Sequence, residues 1–316
     1  KSSNSLHFGS SKHLFGLHGV SKNDLRKILD TAKQFRAVLD RPVKKVPSLR
    51  GMTVVNLFFE NSTRTRTSFE LAEKRLSADV VNFTTSNSSV QKGETLVDTL
   101  RNIESMKIDI VVVRHKGTGV PKFLAEHSNA IVVNAGDGAH EHPTQALLDM
   151  LTIEEKLGTL ENKKITIVGD IRHSRVARSN IWGMTTMGAS VTLCGPSTLI
   201  PRNTDLLGNV TWENNVERAV QDADAIIALR LQKERMDDAL LPSMREYRNF
   251  FGVTERVLSQ AKDSTLIMHP GPINRGVELD SDVADGSHSV ILDQVTNGVA
   301  VRMSVLFLLS GGRFNE

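Results

Sequence analysis

The sequence has a single cysteine, Cys194, among 316 residues, so no disulfide can close within the chain. A reducing compartment is expected, with the thiol serving as a small buried hydrophobe. No apolar run reaches the ~18 residues that a membrane span needs. The densest, 299–309, is broken by Arg302 and Ser304 and reads as a buried helix, so no membrane partner is expected. Residues 1–19 mix Ser, His and Lys and lack the apolar centre of a signal peptide. The formal charge is only +3, and Lys and Arg alternate with acids, so the basic tract of a nucleic-acid binder is missing. Metal-ligand spacing is missing too. His140 and His142 stand two apart, with no cysteine pair and no HExxH. Neither short repeats nor low-complexity segments occur. A cytoplasmic globular protein with chain enough for two domains is expected, without metal or cofactor.

Ser21 with Asp24 three residues on predicts a helix start, and Leu25, Ile28, Leu29, Ala32, Phe35 and Leu39 keep helical spacing behind it. Short β-rich runs follow at 53–59, 80–83, 109–113 and 130–133, separated by helical stretches, one of them around Phe69, Ala72 and Leu76. His142-Pro143 opens a helix with proline at its first position. After Gly158 the alternation resumes, with strands expected at 165–168, 191–193, 225–229 and 265–268 and a helix at 174–186. This order predicts an α/β fold of two doubly wound, parallel-sheet domains linked by helices, the helix from His142 being the bridge.

Chemistry gathers in the loops. Ser62-Thr63-Arg64-Thr65-Arg66 lies between a strand and a helix, where hydroxyls, guanidinium groups and helix N–H groups suit a phosphate dianion. The segment lacks the glycines and lysine of a Walker loop, so ATP is not implied. A solvated helix cap would use the same residue types. In the second half, Gly169-Asp170 ends a strand and Arg172, His173, Ser174, Arg175 and Arg178 lead into a helix. Arg230-Leu231-Gln232 follows another strand in the same way. Ligands of open α/β sheets sit at such carboxyl ends, and a pair of guanidinium groups there suits a dicarboxylate. Arg114-His115 and His269-Pro270-Gly271-Pro272 also follow strands, and the prolines flanking Gly271 would hold a backbone carbonyl in place for a substrate N–H.

Several phrases together resemble the carbamoyltransferase family along essentially the whole chain. They are Phe58 to Arg66, Gln91-Lys92-Gly93-Glu94-Thr95, Asn134-Ala135-Gly136-Asp137-Gly138, His142-Pro143-Thr144-Gln145, Gly169 to Arg175, Arg230-Leu231-Gln232 and Met268 to Pro272. Lys92 and Pro270 are similar to the aspartate branch. The ornithine branch carries His-Cys-Leu-Pro where this chain has His269-Pro270-Gly271-Pro272, and a Ser-Met-Gly loop that is not found here.

The resemblance implies that Ser62, Thr63, Arg64 and Thr65 bind the phosphate of carbamoyl phosphate, with Arg114 beside them. Thr65, Arg114 and His142 would polarise the carbamoyl oxygen. Gln145 and the backbone at Gly271-Pro272 would hold the carbamoyl NH2. Arg175, Arg230 and Gln232 would grip the carboxylates of L-aspartate, with Lys92 reaching both substrates. Arg64, Thr65, Lys92, Arg114 and His142 are thereby the expected catalytic set. Ser88 and Lys92 would come from a neighbouring subunit of a homotrimer with shared active sites. A carbamoyl-phosphate domain at 1–141, joined by a C-terminal helix at 297–316, and an aspartate domain at 142–296 are implied. Gly271 stands where relatives often carry Leu or Ala, which implies a looser carbamoyl pocket. Arg172-His173-Ser174 resembles bacterial members that lack a regulatory chain, while a regulatory chain or a dihydroorotase as partner stays open.

Overall fold

The computed structural model describes residues 12–84, 95–201, 209–231 and 243–312. In chain order the elements begin α1 (Lys22–Leu39), β1 (Thr53–Phe58), α2 (Thr63–Arg75), β2 (Asp79–Thr84) and α3 (Leu96–Glu104). β3 (Ile110–His115), α4 (Val120–Ala125), β4 (Ile131–Asp137) and α5 (Pro143–Leu157) follow. Next come β5 (Lys164–Val168), α6 (Arg175–Thr186), β6 (Ser190–Cys194), β7 (Val210–Glu213), α7 (Val216–Val220) and β8 (Ala225–Ala228). The chain closes with α8 (Met244–Phe251), α9 (Glu255–Leu258), β9 (Leu266–Met268), α10 (Ser281–Ala284) and α11 (Ile291–Leu309). There are two compact units, Lys1–Leu148 with Thr296–Glu316, and Asp149–Val295. The divisions fall inside α5 and α11.

The first unit holds a parallel sheet of order β2-β1-β3-β4. Val54, Val55, Leu57 and Phe58 of β1 are all buried, as expected of a strand covered on both faces. Ser21 caps α1 by accepting the Asp24 N–H at 3.1 Å, and each of the six apolar residues of the expected helix face is buried. α11 is long and apolar enough to cross a membrane, yet 72% of its apolar stretch is buried inside the fold. Its buried charged residue, Arg302, is held within the fold. The Arg302 guanidinium donates to Ser68 Oγ at 3.0 Å and to the Gly298 carbonyl at 2.9 Å, and lies 5.0 Å from the Phe69 ring centre. Ser304 Oγ donates to the Ile28 carbonyl at 2.7 Å, and Phe307 meets Phe35 edge-on at 5.4 Å. Burying a phenylalanine such as Phe35 stabilises by roughly 2–3 kcal/mol.

The second unit carries a parallel sheet of order β7-β6-β5-β8-β9. Sequence reading misses β7. Its four residues, Val-Thr-Trp-Glu, lie at the sheet edge with Trp212 47% exposed, so no apolar run announces them. Cys194 ends β6 fully buried, and burial, with the Glu213 charge behind it, pushes its thiol up to about 12.

Candidate active site

In the first unit the chain winds from β1 to β2 on one side and from β3 to β4 on the other. The winding direction therefore switches between β1 and β3, where open α/β sheets leave a crevice at their carboxyl ends. α2 starts at that place. Its N-cap, Ser62, makes no side-chain cap bond, and its first turn has no acidic residue. Other hydroxyl caps are used internally: Ser21, Thr95, Ser174 and Ser243 each accept an N–H of their own helix. The positive end of α2 is thus directed outward, with Thr63 and Arg64 exposed and Ser62, Thr65 and Arg66 half-buried.

Arg114, the penultimate residue of β3, stands on the other wall of this crevice. Its guanidinium donates to the Ala135 carbonyl at 3.1 Å, reaches Thr65 Oγ1 at 3.5 Å and lies 3.6 Å from the Glu60 carboxylate. Three segments thereby orient one cation. His115 beside it packs edge-on against Phe59 at 5.3 Å. Its Nδ1 accepts the Gly117 N–H at 2.8 Å, and burial holds it below the ordinary histidine value.

β4 ends in Asn134-Ala135-Gly136-Asp137, and the turn from Gly138 then delivers His142. The Asn134 amide donates to the Asp137 carboxylate at 2.8 Å and the Phe15 carbonyl at 2.7 Å, while its oxygen accepts the Gly136 N–H. Burial raises the Asp137 carboxyl, but bonds from His140, the Gly119 N–H and Asn134 outweigh it and hold the group below the usual range. Glu141, also buried, accepts the Leu17 N–H at 2.6 Å and pins residues 17–18 to the turn. His142 and Gln145 are 4% and 8% exposed; His142 directly precedes α5, and its carbonyl accepts the Gln145 N–H at 3.0 Å.

The second unit switches direction between β5 and β8. Gly169 leaves β5 at φ +139, and a Cβ there would stand 2.8 Å from Leu229 Cβ, so the two strand ends approach closely because of the glycine. Asp170 accepts the His173 N–H at 3.1 Å and lies 3.0 Å from His173 Nδ1. That turn sets Ser174 as the cap of α6 and places Arg175, 4% exposed, on its first turn. Arg230 and Leu231 follow β8. After β9, His269 Nδ1 accepts the Gly271 N–H at 2.8 Å, and Gly271 sits at φ +68 before a cis peptide bond to Pro272.

Of the expected residues, Thr65 and Arg114 meet directly. Ser62, Thr63 and Arg64 share the same helix start, and His142 lies one turn from Gln145. Arg175 and Arg230 flank one switch point, with Gly271 and Pro272 on the loop after β9. Ser88, Lys92 and Gln232 lie outside the described residues. Glu60, Asn134 and Asp137 escape sequence reading as orienting groups. For Asn134 and Asp137 the neighbouring Gly136 and Gly138 were the available signal.

Residues 12–155 match the carbamoyl-P binding domain of the aspartate/ornithine carbamoyltransferases, and residues 161–309 match their Asp/Orn binding domain. The chain is 61% identical over 302 residues to the aspartate carbamoyltransferase catalytic subunit of Gemmatimonas aurantiaca, covering 96% of this chain and 94% of that one. Identity to the same subunit of Desulfotalea psychrophila is 57% over 306 residues, covering 97% and 96%. Aspartate transcarbamoylase from Trypanosoma cruzi, solved with N-(phosphonacetyl)-L-aspartic acid, has a TM-score of 0.87 at 30% identity over 96% and 97% of the two chains. The ornithine carbamoyltransferase of Pyrococcus furiosus gives 0.83 at 30% identity over 94% and 96%. With both domains matched and near-complete coverage in sequence and in fold, the chain belongs to the aspartate/ornithine carbamoyltransferase family.

Proposed function

We infer that the chain transfers the carbamoyl group of carbamoyl phosphate to the α-amine of L-aspartate. The products are N-carbamoyl-L-aspartate and phosphate, a step of de novo pyrimidine biosynthesis. The observation that carries this is 57–61% identity, over nearly the whole chain, to catalytic subunits of aspartate carbamoyltransferases. Fold likeness does not choose the acceptor, because an ornithine enzyme shares the architecture.

The neutral amine attacks the carbamoyl carbon and makes a tetrahedral oxyanion, from which phosphate departs. Ser62, Thr63, Arg64 and Thr65 bind the phosphate through hydroxyls, a guanidinium and the outward-facing start of α2. Thr65, Arg114 and His142 face the developing oxyanion. The bonds from Arg114 to Ala135 and Glu60 support that role, since a cation already oriented costs no reorganisation when charge appears. Gln145 and the backbone at Gly271-Pro272 hold the carbamoyl NH2. Arg175, Arg230 and Gln232 take the aspartate carboxylates through forked guanidinium bonds, and Lys92 reaches both substrates. Departing phosphate is the proton acceptor. In this reading the first unit is the carbamoyl-phosphate domain and the second the aspartate domain. The active form is a homotrimer in which Ser88 and Lys92 serve the neighbour's site.

The test is acceptor choice. Purified chain with carbamoyl phosphate should release phosphate and form the carbamoyl amino acid in equal amounts with aspartate. Faster turnover with ornithine would overturn the assignment.

A further inference from the structure

A buried polar chain in the second unit joins the loop after β9 to the strand end that carries Arg230. His269 Nδ1 accepts the Gly271 N–H at 2.8 Å, so the ring proton belongs on Nε2, where it points to Glu278 Oε1 at 3.1 Å. Both of these side chains are fully buried. The same Glu278 oxygen accepts the Asn274 N–H at 2.6 Å, and the Asn274 side-chain amide donates to the Leu231 carbonyl at 3.1 Å. From the other direction Gln294 accepts the His269 N–H at 3.0 Å and donates to Asp149 at 2.7 Å, and Asp149 also accepts from Asn180 of α6 at 2.8 Å.

The β8–β9 ladder ends at the pair Ile227–Met268. Arg230 and Leu231 lie beyond it, so the Asn274 bond continues the attachment of the two strand ends by a side-chain route. Leu231 is 2% exposed, and its carbonyl is the backbone acceptor one residue beyond Arg230.

We propose that Asn274 is a positioning residue for the acceptor substrate: braced by the His269–Glu278 pair, it fixes the backbone of Leu231, the residue next to Arg230, and thereby the aim of that guanidinium. The proposal rests on Arg230 being a carboxylate-binding residue. Neither Asn274 nor Glu278 is among the residues that sequence analysis singles out.

Two variants separate a hydrogen-bonding role from mere packing. Asn274→Ala removes the donor with little effect on the core, because Asn274 is half-exposed. Asn274→Asp keeps the shape but sets an acceptor against the Leu231 carbonyl. Loss of one such bond corresponds to several-fold to about tenfold in an equilibrium. The expected result is a rise of that size in the KM for aspartate with both variants, at least as large for Asp as for Ala. The KM for carbamoyl phosphate should stay within about twofold, because the Glu278 bond to the Asn274 backbone survives. An Asn274→Asp enzyme that matches wild type, or equal shifts for both substrates, would overturn the proposal. Arg230→Lys, assayed alongside, keeps the two readings apart. If Arg230→Lys leaves the aspartate KM unchanged, the reading of Arg230 fails and the proposal falls with it. If Arg230→Lys raises it and the Asn274 variants do not, the proposal alone fails.

Discussion

Replacing Glu73 by glutamine should make the protein more stable at alkaline pH. Glu73 is a wholly buried residue of α2, the helix with Ser62 at its N-cap. The Asn56 amide donates to its Oε2 at 2.8 Å and to Asn82 Oδ1 at 3.1 Å, fastening α2 and the edge strand β2 to β1. Among the described residues, Glu73 Oε1 and Asn56 Oδ1 are left as buried acceptors without a donor. A proton on the carboxyl turns one of them into a donor, and burial raises the group from 4.5 to about 8. Between those values the unfolded chain has lost the proton and the native protein still holds it. The native state binds more protons, so stability falls as pH rises through this window and levels off above about 8. At about 1.4 kcal/mol per pH unit, the interval sets a ceiling on the order of 5 kcal/mol. Glutamine keeps the acceptor for Asn56, supplies an N–H₂ donor and does not titrate. Urea unfolding of both proteins from pH 5 to pH 9 is the assay. The stability difference should be small at pH 5, grow in favour of Glu73→Gln by a few kcal/mol, and flatten beyond pH 8. Parallel curves across that range would refute the reasoning.

Arg64→Ala should lower turnover by at least a hundredfold while leaving the melting temperature within a few degrees, because Arg64 is an exposed residue in the first turn of α2; near-normal activity in a folded variant would remove this helix start from the site. The proposed shared site of a trimer predicts complementation. Inactive Arg64→Ala and Lys92→Gln chains, dissociated and reassembled together, should regain about a quarter of the sites, and no recovery after confirmed exchange would place Lys92 in its own chain's site. Cys194 should resist thiol reagents at pH 8 in the native protein and react once it is unfolded, since its thiol is pushed up to about 12. Rapid native labelling would contradict its burial.

Some of this site is local in the chain and therefore legible. Ser62 to Arg66 cluster hydroxyls and guanidinium groups within five consecutive residues, so any helix started there gathers them at its positive end. Pro143 is likewise tied to a first helical position, and the alternation of short β-rich runs with helical periods is enough to imply parallel α/β units. Neighbourhood across the sheet is another matter. Thr65 and Arg114 are 49 residues apart and meet only because β1 pairs with β3, an order set by crossover direction and long-range packing. Burial of polar groups is equally non-local. Glu73, Glu278 and Asn274 have the appearance of surface residues until the fold desolvates two of them and aims the third at Leu231. The edge strand β7 is invisible for the converse reason, since an exposed strand needs no apolar run. Residue types thus determined the chemistry available to this protein. Tertiary structure decided which cations share a crevice and which acids are buried, because both depend on contacts between segments far apart in the chain.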